Sequence, residues 1–215
     1  MGIRRIDHHD GSAGRVSGLV SQVCYRPGQD AQGIGTFADP SLIVVGEDLI
    51  ATLATGFVPI LRHGITLTYT DAAGADFSGS VRITGVNGYG ERMTEDIAVL
   101  PNVNAITASQ RAWLLIERID VLTWTAPNAA DTLDIGWENA GASNAERIRI
   151  GFPWKVRSAD DFLGLMRCSA VADVGDRLTV DQLNTARGTF TVSTDDATPQ
   201  GREYRFIMNP NARHF

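Results

Sequence analysis

The stretch GITLTYTDAAGADFSGSVRITGVNGYGERMTEDIAVL, residues 64–100, decides the fold class. Ile65, Leu67 and Tyr69 alternate with threonines, and a second alternation of apolar and polar residues begins at Val81. A period of two with β-branched residues is typical of half-buried β-strands. We therefore predict strands on both sides of the turn-forming run 71–74.

A hairpin signal follows the second of these strands. Asn87-Gly88 is the residue pair that most readily takes a positive φ in a two-residue hairpin turn. We predict such a turn there, with Gly88 at positive φ and a return strand from about Glu91 to Leu100.

Working outward, the same alternation recurs towards the C-terminus. It predicts strands at 133–137, 148–152, 190–192 and 204–206. Helix is scarce. At most two helical turns are predicted in 104–118, because 116–124 alternates as a strand, and a single turn is predicted at 181–184. Short strands separated by Gly, Asn, Asp and Pro favour a mainly β protein, an antiparallel β-sandwich or jelly roll.

The first forty residues differ from the rest in being rich in glycine and without a sustained apolar period. Only the piece from Gly18 to Tyr25 is compatible with a strand. We predict an extended N-terminal arm at 1–40 and a β-sandwich body at 41–215. Two origins of order in the arm stay open: contacts with a partner surface, or folding back onto its own domain.

Composition excludes several classes of protein. With 19 basic and 25 acidic residues, the net charge of −6 gives no electrostatic basis for wrapping nucleic acid. Cys24 and Cys168 are too few for a disulfide framework or a cysteine-type zinc site. The longest uncharged apolar stretch, Leu49 to Leu61, is too short to span a membrane and is predicted to lie in the core. The N-terminus lacks the apolar region of a secretory signal.

Catalytic patterns are not found in this sequence. His8-His9-Asp10 is a weak metal candidate, because adjacent residues of an extended chain point in opposite directions. The same argument applies to three adjacent carboxylate pairs, to which we assign turn and surface roles. These pairs are Glu95-Asp96, Asp160-Asp161 and Asp195-Asp196. We therefore expect no catalytic, cofactor-binding or metal-binding residues, no cofactor and no enzymatic activity.

The tryptophans allow two interpretations. An exposed row of Trp113, Trp124, Trp137 and Trp154 would form a platform for stacking sugars. Trp113 and Trp124 lie in apolar segments, however, so core packing is the better expectation for them.

Residues 80–139 carry a resemblance to a known class of proteins. They read VRITGVNGYGERMTEDI at 81–97, WLLIERIDVL at 113–122 and ADTLDIGW at 130–137. This layout resembles structural proteins of tailed bacteriophages: a strand ending in Thr-Gly, a short turn with glycine, Thr-Glu in an alternating strand, and a later Asp-Thr-x-x-Ile-Gly. The resemblance covers about a third of the chain, and it transfers no residue-specific role.

The resemblance implies a non-enzymatic virion protein. The first expectation is a capsid cement or decoration protein that binds the major capsid protein and copies of itself, as a homotrimer, on the outer surface of the virion. It would be in the host cytoplasm during assembly and would contact neither nucleic acid nor membrane. One alternative is a head–tail connector or tail component of the same particle. An alternative of another class is a carbohydrate-binding β-sandwich module.

Overall fold

A computed structural model describes residues 4–8, 17–26, 30–53, 58–72, 76–99, 106–137, 150–151, 162–167, 177–178, 180–184, 187, 189–192 and 202–208. Within these ranges the protein is mainly β, and every strand pairing is antiparallel. In the part of the chain that the structure describes, helix is limited to a 3-10 turn at Pro40–Leu42 and to α1 at Leu49–Leu53. The prediction of a mainly β fold with little helix is confirmed.

The described strands fall into three sheets. Their bounds are β1 Arg4–His8, β2 Ser17–Arg26, β3 Asp30–Phe37, β4 Val58–His63, β5 Thr66–Thr70, β6 Ser78–Asn87, β7 Arg92–Val99, β8 Ile106–Ala108, β9 Trp113–Thr125, β10 Thr132–Trp137, β11 Ile150–Gly151, β12 Phe162–Arg167, β13 Arg177–Leu178, β14 Val180–Asn184, β15 Thr189–Val192 and β16 Arg202–Met208. The five-stranded sheet has the order β1-β2-β16-β12-β13 and the four-stranded sheet β3-β10-β5-β8. The seven-stranded sheet has the order β14-β15-β11-β4-β9-β6-β7.

The four-stranded and seven-stranded sheets share one hydrophobic core, as in a sandwich. β5 and β10 contribute Leu67 and Leu133, while β6 and β9 contribute Val81 and Ile119, all of them fully or almost fully buried. α1 adds Leu49 and Ile50, which have no exposed surface. The apolar stretch that begins at Leu49 is therefore a core element, as predicted for these residues. No helix in the described part of the chain has the length and hydropathy needed to cross a membrane.

The β6–β7 hairpin is confirmed, but its predicted turn is wrong in type. The turn has three residues: Gly90 N–H donates to the carbonyl of Asn87, and Asn87 N–H donates to the carbonyl of Glu91. The positive φ of +86° lies at Gly90, not at Gly88. The side-chain oxygen of Asn87 accepts from the N–H groups of Tyr89 and Glu91, both at 2.9 Å. These bonds stabilise the longer loop, a type I turn followed by a glycine bulge.

The described residues of the two predicted helical segments form strands and a loop, not helix. In 104–118 the structure has β8 and the start of β9, and 181–184 belongs to β14. Trp113, Ile116 and Ile119 are buried at a spacing that imitates a helix. The cause is a set of register shifts in the β6–β9 ladder, which change the face that successive residues present.

The predicted arm does not agree with the strand pairing. β3 pairs with β10 inside the four-stranded sheet, and its Ile34 and Phe37 pack against the core. β2, which contains the compatible piece Gly18–Tyr25, pairs with β16 from Arg26↔Arg202 to Val20↔Met208. For these residues the prediction of an arm separate from the body is wrong. These residues fold back onto the same chain.

His63, at the end of β4, is a buried titratable group that the sequence did not single out. Its ring is 3% exposed, and its Nδ1 lies 2.8 Å from the carbonyl oxygen of Gly64. The ring meets Trp137 edge-on, with centroids 5.2 Å apart. Burial lowers the pKa of His63 from 6.5 to about 4, and the hydrogen bond to Gly64 offsets only part of that effect.

We expect His63 to make the free energy of unfolding depend on pH. Between pH 6.5 and 4 the unfolded chain binds a proton at this ring and the folded chain does not, so stability is lost as the pH falls. From pH 7.5 to pH 5.0 the loss from this residue is about 2 kcal/mol. Urea denaturation of the wild type and of His63→Gln at both pH values measures it. The stability difference between the two proteins should shift in favour of the variant at pH 5.0, and a difference that is constant with pH contradicts the prediction.

Candidate interaction surfaces

The two carboxylates of the Glu95-Asp96 pair do not share a hydrogen-bond partner. Glu95 and Asp96 contact different partners: Glu95 binds the backbone of the β8–β9 loop, and Asp96 pairs with Arg82. His8 lies in β1, while His9 and Asp10, like the pairs Asp160-Asp161 and Asp195-Asp196, lie outside the described residues. Within the described residues, no group of three or more His, Cys, Asp or Glu side chains is arranged to hold a metal ion.

The described tryptophans do not form an exposed row. Trp113 has no exposed surface, which confirms its predicted core position. Trp124 packs edge-on against Tyr69 and Phe77, and its Nε1 donates to the carbonyl of Pro40 at 2.9 Å. Trp137 packs edge-on against His63. Trp154 lies outside the described residues.

A buried polar cluster around Asp131 has a structural explanation. Its carboxylate accepts from the Tyr69 hydroxyl at 2.8 Å and from the N–H groups of Ala72 and Asn128, both at 2.9 Å. Removal from water raises the pKa of this carboxyl, but the hydrogen bonds outweigh that effect and hold the pKa below its usual value. The cluster fastens the loop after β9 to the loop after β5, so its donors and acceptors are used within the fold.

The first candidate surface is an apolar turn that begins at the last residue of the 3-10 turn and precedes α1. Leu42 is 76% exposed, Val44 61% and Val45 62%, and these are the large exposed hydrophobic side chains of the described residues. Between the first two, Ile43 is 5% exposed and anchors the segment in the core. Three exposed apolar side chains on one short segment are unusual for a surface without a partner. We call residues 42–45 the apolar turn.

Hydrogen bonds fix the C-terminal side of the apolar turn. Glu47 N–H donates to the carbonyl of Val44, and the Glu47 carboxylate accepts from the N–H of Val44. Gly46, at φ +89°, supplies the left-handed position that this tight turn needs. Its N–H donates to the carbonyl of Val121, and Val121 N–H donates back to the carbonyl of Glu47, so β9 carries the turn.

Carboxylates predominate around the apolar turn. Asp39 and Glu47 flank the apolar turn in the sequence. The backbone of Asp48 forms an isolated antiparallel β-bridge with that of Asp120 in β9. Arg118 is the cation described among them, within 3.6 Å of Asp48 and closer to Asp120. The surface is thus an apolar centre with an acidic rim.

The second candidate surface is a cleft of about 400 Å³ beside β7. We call it the arginine cleft. Its lining residues are Arg82, Thr94, Glu95, Asp96, Gln110, Arg111 and Arg187. Guanidinium groups from β6, from the β8–β9 loop and from the connection before β15 therefore open into one space.

Glu95 is the structural centre of the arginine cleft. Its two carboxylate oxygens accept from the N–H groups of Gln110, at 2.6 Å, and Arg111, at 3.2 Å. Burial raises the pKa of Glu95; the two backbone hydrogen bonds and the charges of Arg111 and Arg187 lower it by less. Glu95 thus fixes the loop that carries Arg111.

Sequence reasoning missed both surfaces. The run Leu-Ile-Val-Val at 42–45 has the composition of a buried strand, and only the register of the turn exposes three of its four residues. A Pro before it and a Gly after it were the available signals of a turn. Of the arginine cleft, the sequence singled out Glu95-Asp96 alone, as a pair with a turn or surface role. Its arginines gave no signal, because they come from segments up to 105 positions apart, Arg82 to Arg187.

No protein-family model, curated protein or solved structure gives a significant match to this chain.

Proposed function

We propose that this chain is a non-enzymatic structural protein of a tailed-phage particle that attaches to the capsid lattice and stabilises it. The observation that carries the proposal is the apolar turn. It presents Leu42, Val44 and Val45 to solvent. Hydrogen bonds from β9 hold the segment on both sides of them, from Trp124 Nε1 to the carbonyl of Pro40 before the turn and between Val121 and residues 46–47 after it. A rigid apolar anchor loses little conformational entropy on binding, so it suits permanent attachment.

The acidic residues next to the apolar turn indicate the chemistry of the partner surface. Asp39, Glu47, Asp48 and Asp120 outnumber Arg118 next to the apolar turn, so the complementary surface is an apolar pocket edged by Arg or Lys. In this proposal the pocket lies on the outer face of the major capsid protein. The net charge of −6 suits that outer face better than a lumen filled with DNA.

The segments that resemble phage structural proteins support the same proposal. They form β6, β7, β9 and β10, which supply much of the core shared by the two sheets. A homotrimer at the threefold positions of the lattice remains part of the proposal through that resemblance. The burial of Trp113 and the packing of Trp124 favour it over a sugar-binding module.

Co-sedimentation with assembled particles that lack this protein tests the proposal. We expect the wild type to bind in hundreds of copies per particle. The double variant Val44→Ser, Val45→Ser should lose about tenfold or more in affinity, since it removes two apolar side chains that binding to the capsid buries. Ala130→Ser, at an exposed loop position that is not part of the apolar turn, serves as the control and should bind like the wild type.

Two results would overturn the proposal. A copy number that corresponds to one closed ring indicates a connector or tail component instead. Binding of the double variant at wild-type strength shows that the apolar turn is not the anchor. Urea denaturation of all three proteins confirms that each is folded before binding is compared.

A further inference from the structure

We propose that the arginine cleft binds a carboxylate group of an acidic, extended protein segment that lies along the edge of β7. This binding is independent of the capsid proposal, because the cleft and the apolar turn share no residue. Four observations support it: the state of the guanidinium groups, the way they are held, the charge balance and the adjacent strand edge.

Two of the three guanidinium groups in the cleft are available for a ligand. Arg82 is occupied, because it donates two hydrogen bonds of 2.7 Å to the carboxylate of Asp96. Arg111 and Arg187 form no ion pair with any carboxylate in the described part of the chain. The contacts they make are with neutral atoms, Met93 Sδ at 3.1 Å for Arg111 and Gln110 Oε1 at 3.1 Å for Arg187. Both keep N–H donors for an external anion.

These two groups are also held in place before any ligand arrives. The Glu95 carboxylate binds the N–H groups of Gln110 and Arg111, which fixes the backbone that carries the Arg111 side chain. Gln110 in turn accepts from Arg187 Nη1, and its carbonyl accepts from the hydroxyl of Thr189 in β15 at 3.4 Å. A preorganised pair of guanidinium groups binds an oxyanion with less loss of side-chain entropy than two free arginines.

The charge balance favours a carboxylate over a phosphate. Counted over the described residues, the cleft contains Arg82, Arg111 and Arg187 together with the carboxylates of Glu95 and Asp96, an excess of one positive charge. One carboxylate neutralises that excess, whereas a phosphate dianion leaves negative charge next to Glu95. The same carboxylates disfavour a nucleic-acid backbone, which repeats its negative charge along the strand.

The neighbouring strand edge indicates an extended segment. Within the described residues β7 pairs with β6 on one side and ends the seven-stranded sheet on the other. Thr94, Glu95 and Asp96 of that edge strand line the cleft. An added strand can therefore bond to the β7 backbone while one of its acidic side chains enters the cleft.

Peptide titration at low ionic strength tests this inference, with a capped hexaglutamate peptide as the probe and capped hexaglutamine as the neutral comparison. We expect the wild type to bind hexaglutamate and not hexaglutamine. Arg111→Gln and Arg187→Gln should each weaken binding about fivefold or more, the equivalent of about 1 kcal/mol for a lost charged hydrogen bond. Arg118→Gln, also exposed but on β9 and outside the cleft, is the charge-matched control and should bind within about twofold of wild type.

Competition with other anions completes the test. Inorganic phosphate or oligo(dT) that displaces the peptide at equal concentration makes the cleft a general anion site and overturns the carboxylate assignment. Equal loss of binding in Arg118→Gln and Arg111→Gln overturns the site itself, since it shows that net charge alone is measured. If the capsid proposal fails, these outcomes still stand, because none of the peptide titrations contains a capsid.

Discussion

A protein that begins at Pro40 is expected not to fold. Removal of residues 1–39 deletes β3, whose Phe37 and Gly35 pair with Leu133 and Ile135 of β10. It also takes Ile34 and Phe37 away from the core and deletes β2, the partner of β16. The deletion exposes apolar surface and breaks two ladders at once. We expect the resulting loss of free energy to exceed the roughly 5–15 kcal/mol that stabilises an ordinary domain.

A shorter truncation provides the matched control. A chain that begins at Ser17 lacks β1, the edge strand of the five-stranded sheet, and keeps β2 and β3. It should retain a cooperative urea transition, whereas the chain that begins at Pro40 should show none by circular dichroism. A cooperative transition in the longer deletion would mean that the body folds without β3, and the pairing of β3 with β10 would then be dispensable.

Gly85→Ala is expected to destabilise the protein strongly, because β6 and β9 approach each other closely at this glycine. A Cβ at this position would overlap the carbonyl oxygen of Leu115 and lie 3.1 Å from Cα of Ile116. Both neighbours are backbone atoms of β9, the strand that pairs with β6 along its length, so neither can move aside without breaking the ladder. We expect a loss of at least about 3 kcal/mol in the free energy of unfolding.

Gly90→Ala separates this steric effect from a conformational one. Gly90 has φ +86°, and no heavy atom lies within 4 Å of the position that an alanine Cβ would take, so alanine there meets only the unfavourable left-handed backbone. Its expected cost is about 1–2 kcal/mol. Denaturant midpoints of the two variants measured side by side give the comparison. An equal or smaller loss for Gly85→Ala would refute the close approach of β6 and β9.

Local sequence determined the class of fold and the positions of several strands, among them β5, β6, β7, β10 and β16. The alternation at 65–70, 81–84 and 133–137 corresponds to β5, β6 and β10, because residues of one strand face must share one environment. The hairpin after Val86 was also visible, since Asn and Gly lower the cost of a turn. Its loop length was not, because the choice between two and three residues depends on the register of the whole β6–β7 ladder.

Tertiary structure alone decided the remaining features. Register shifts between β6 and β9 gave Trp113 and Ile116 a helix-like spacing within a strand, and no single-strand pattern reveals a bulge imposed by its neighbour. Residues 30–37 of the glycine-rich start of the chain form β3 because they pair with the edge of β10, which lies more than 90 residues away in the sequence. The exposure of Val44 and Val45 also depends on contacts between segments far apart in sequence. The same holds for the position of Arg111 and Arg187 in one cleft. A sequence pattern reports only on near neighbours, so it reveals neither feature.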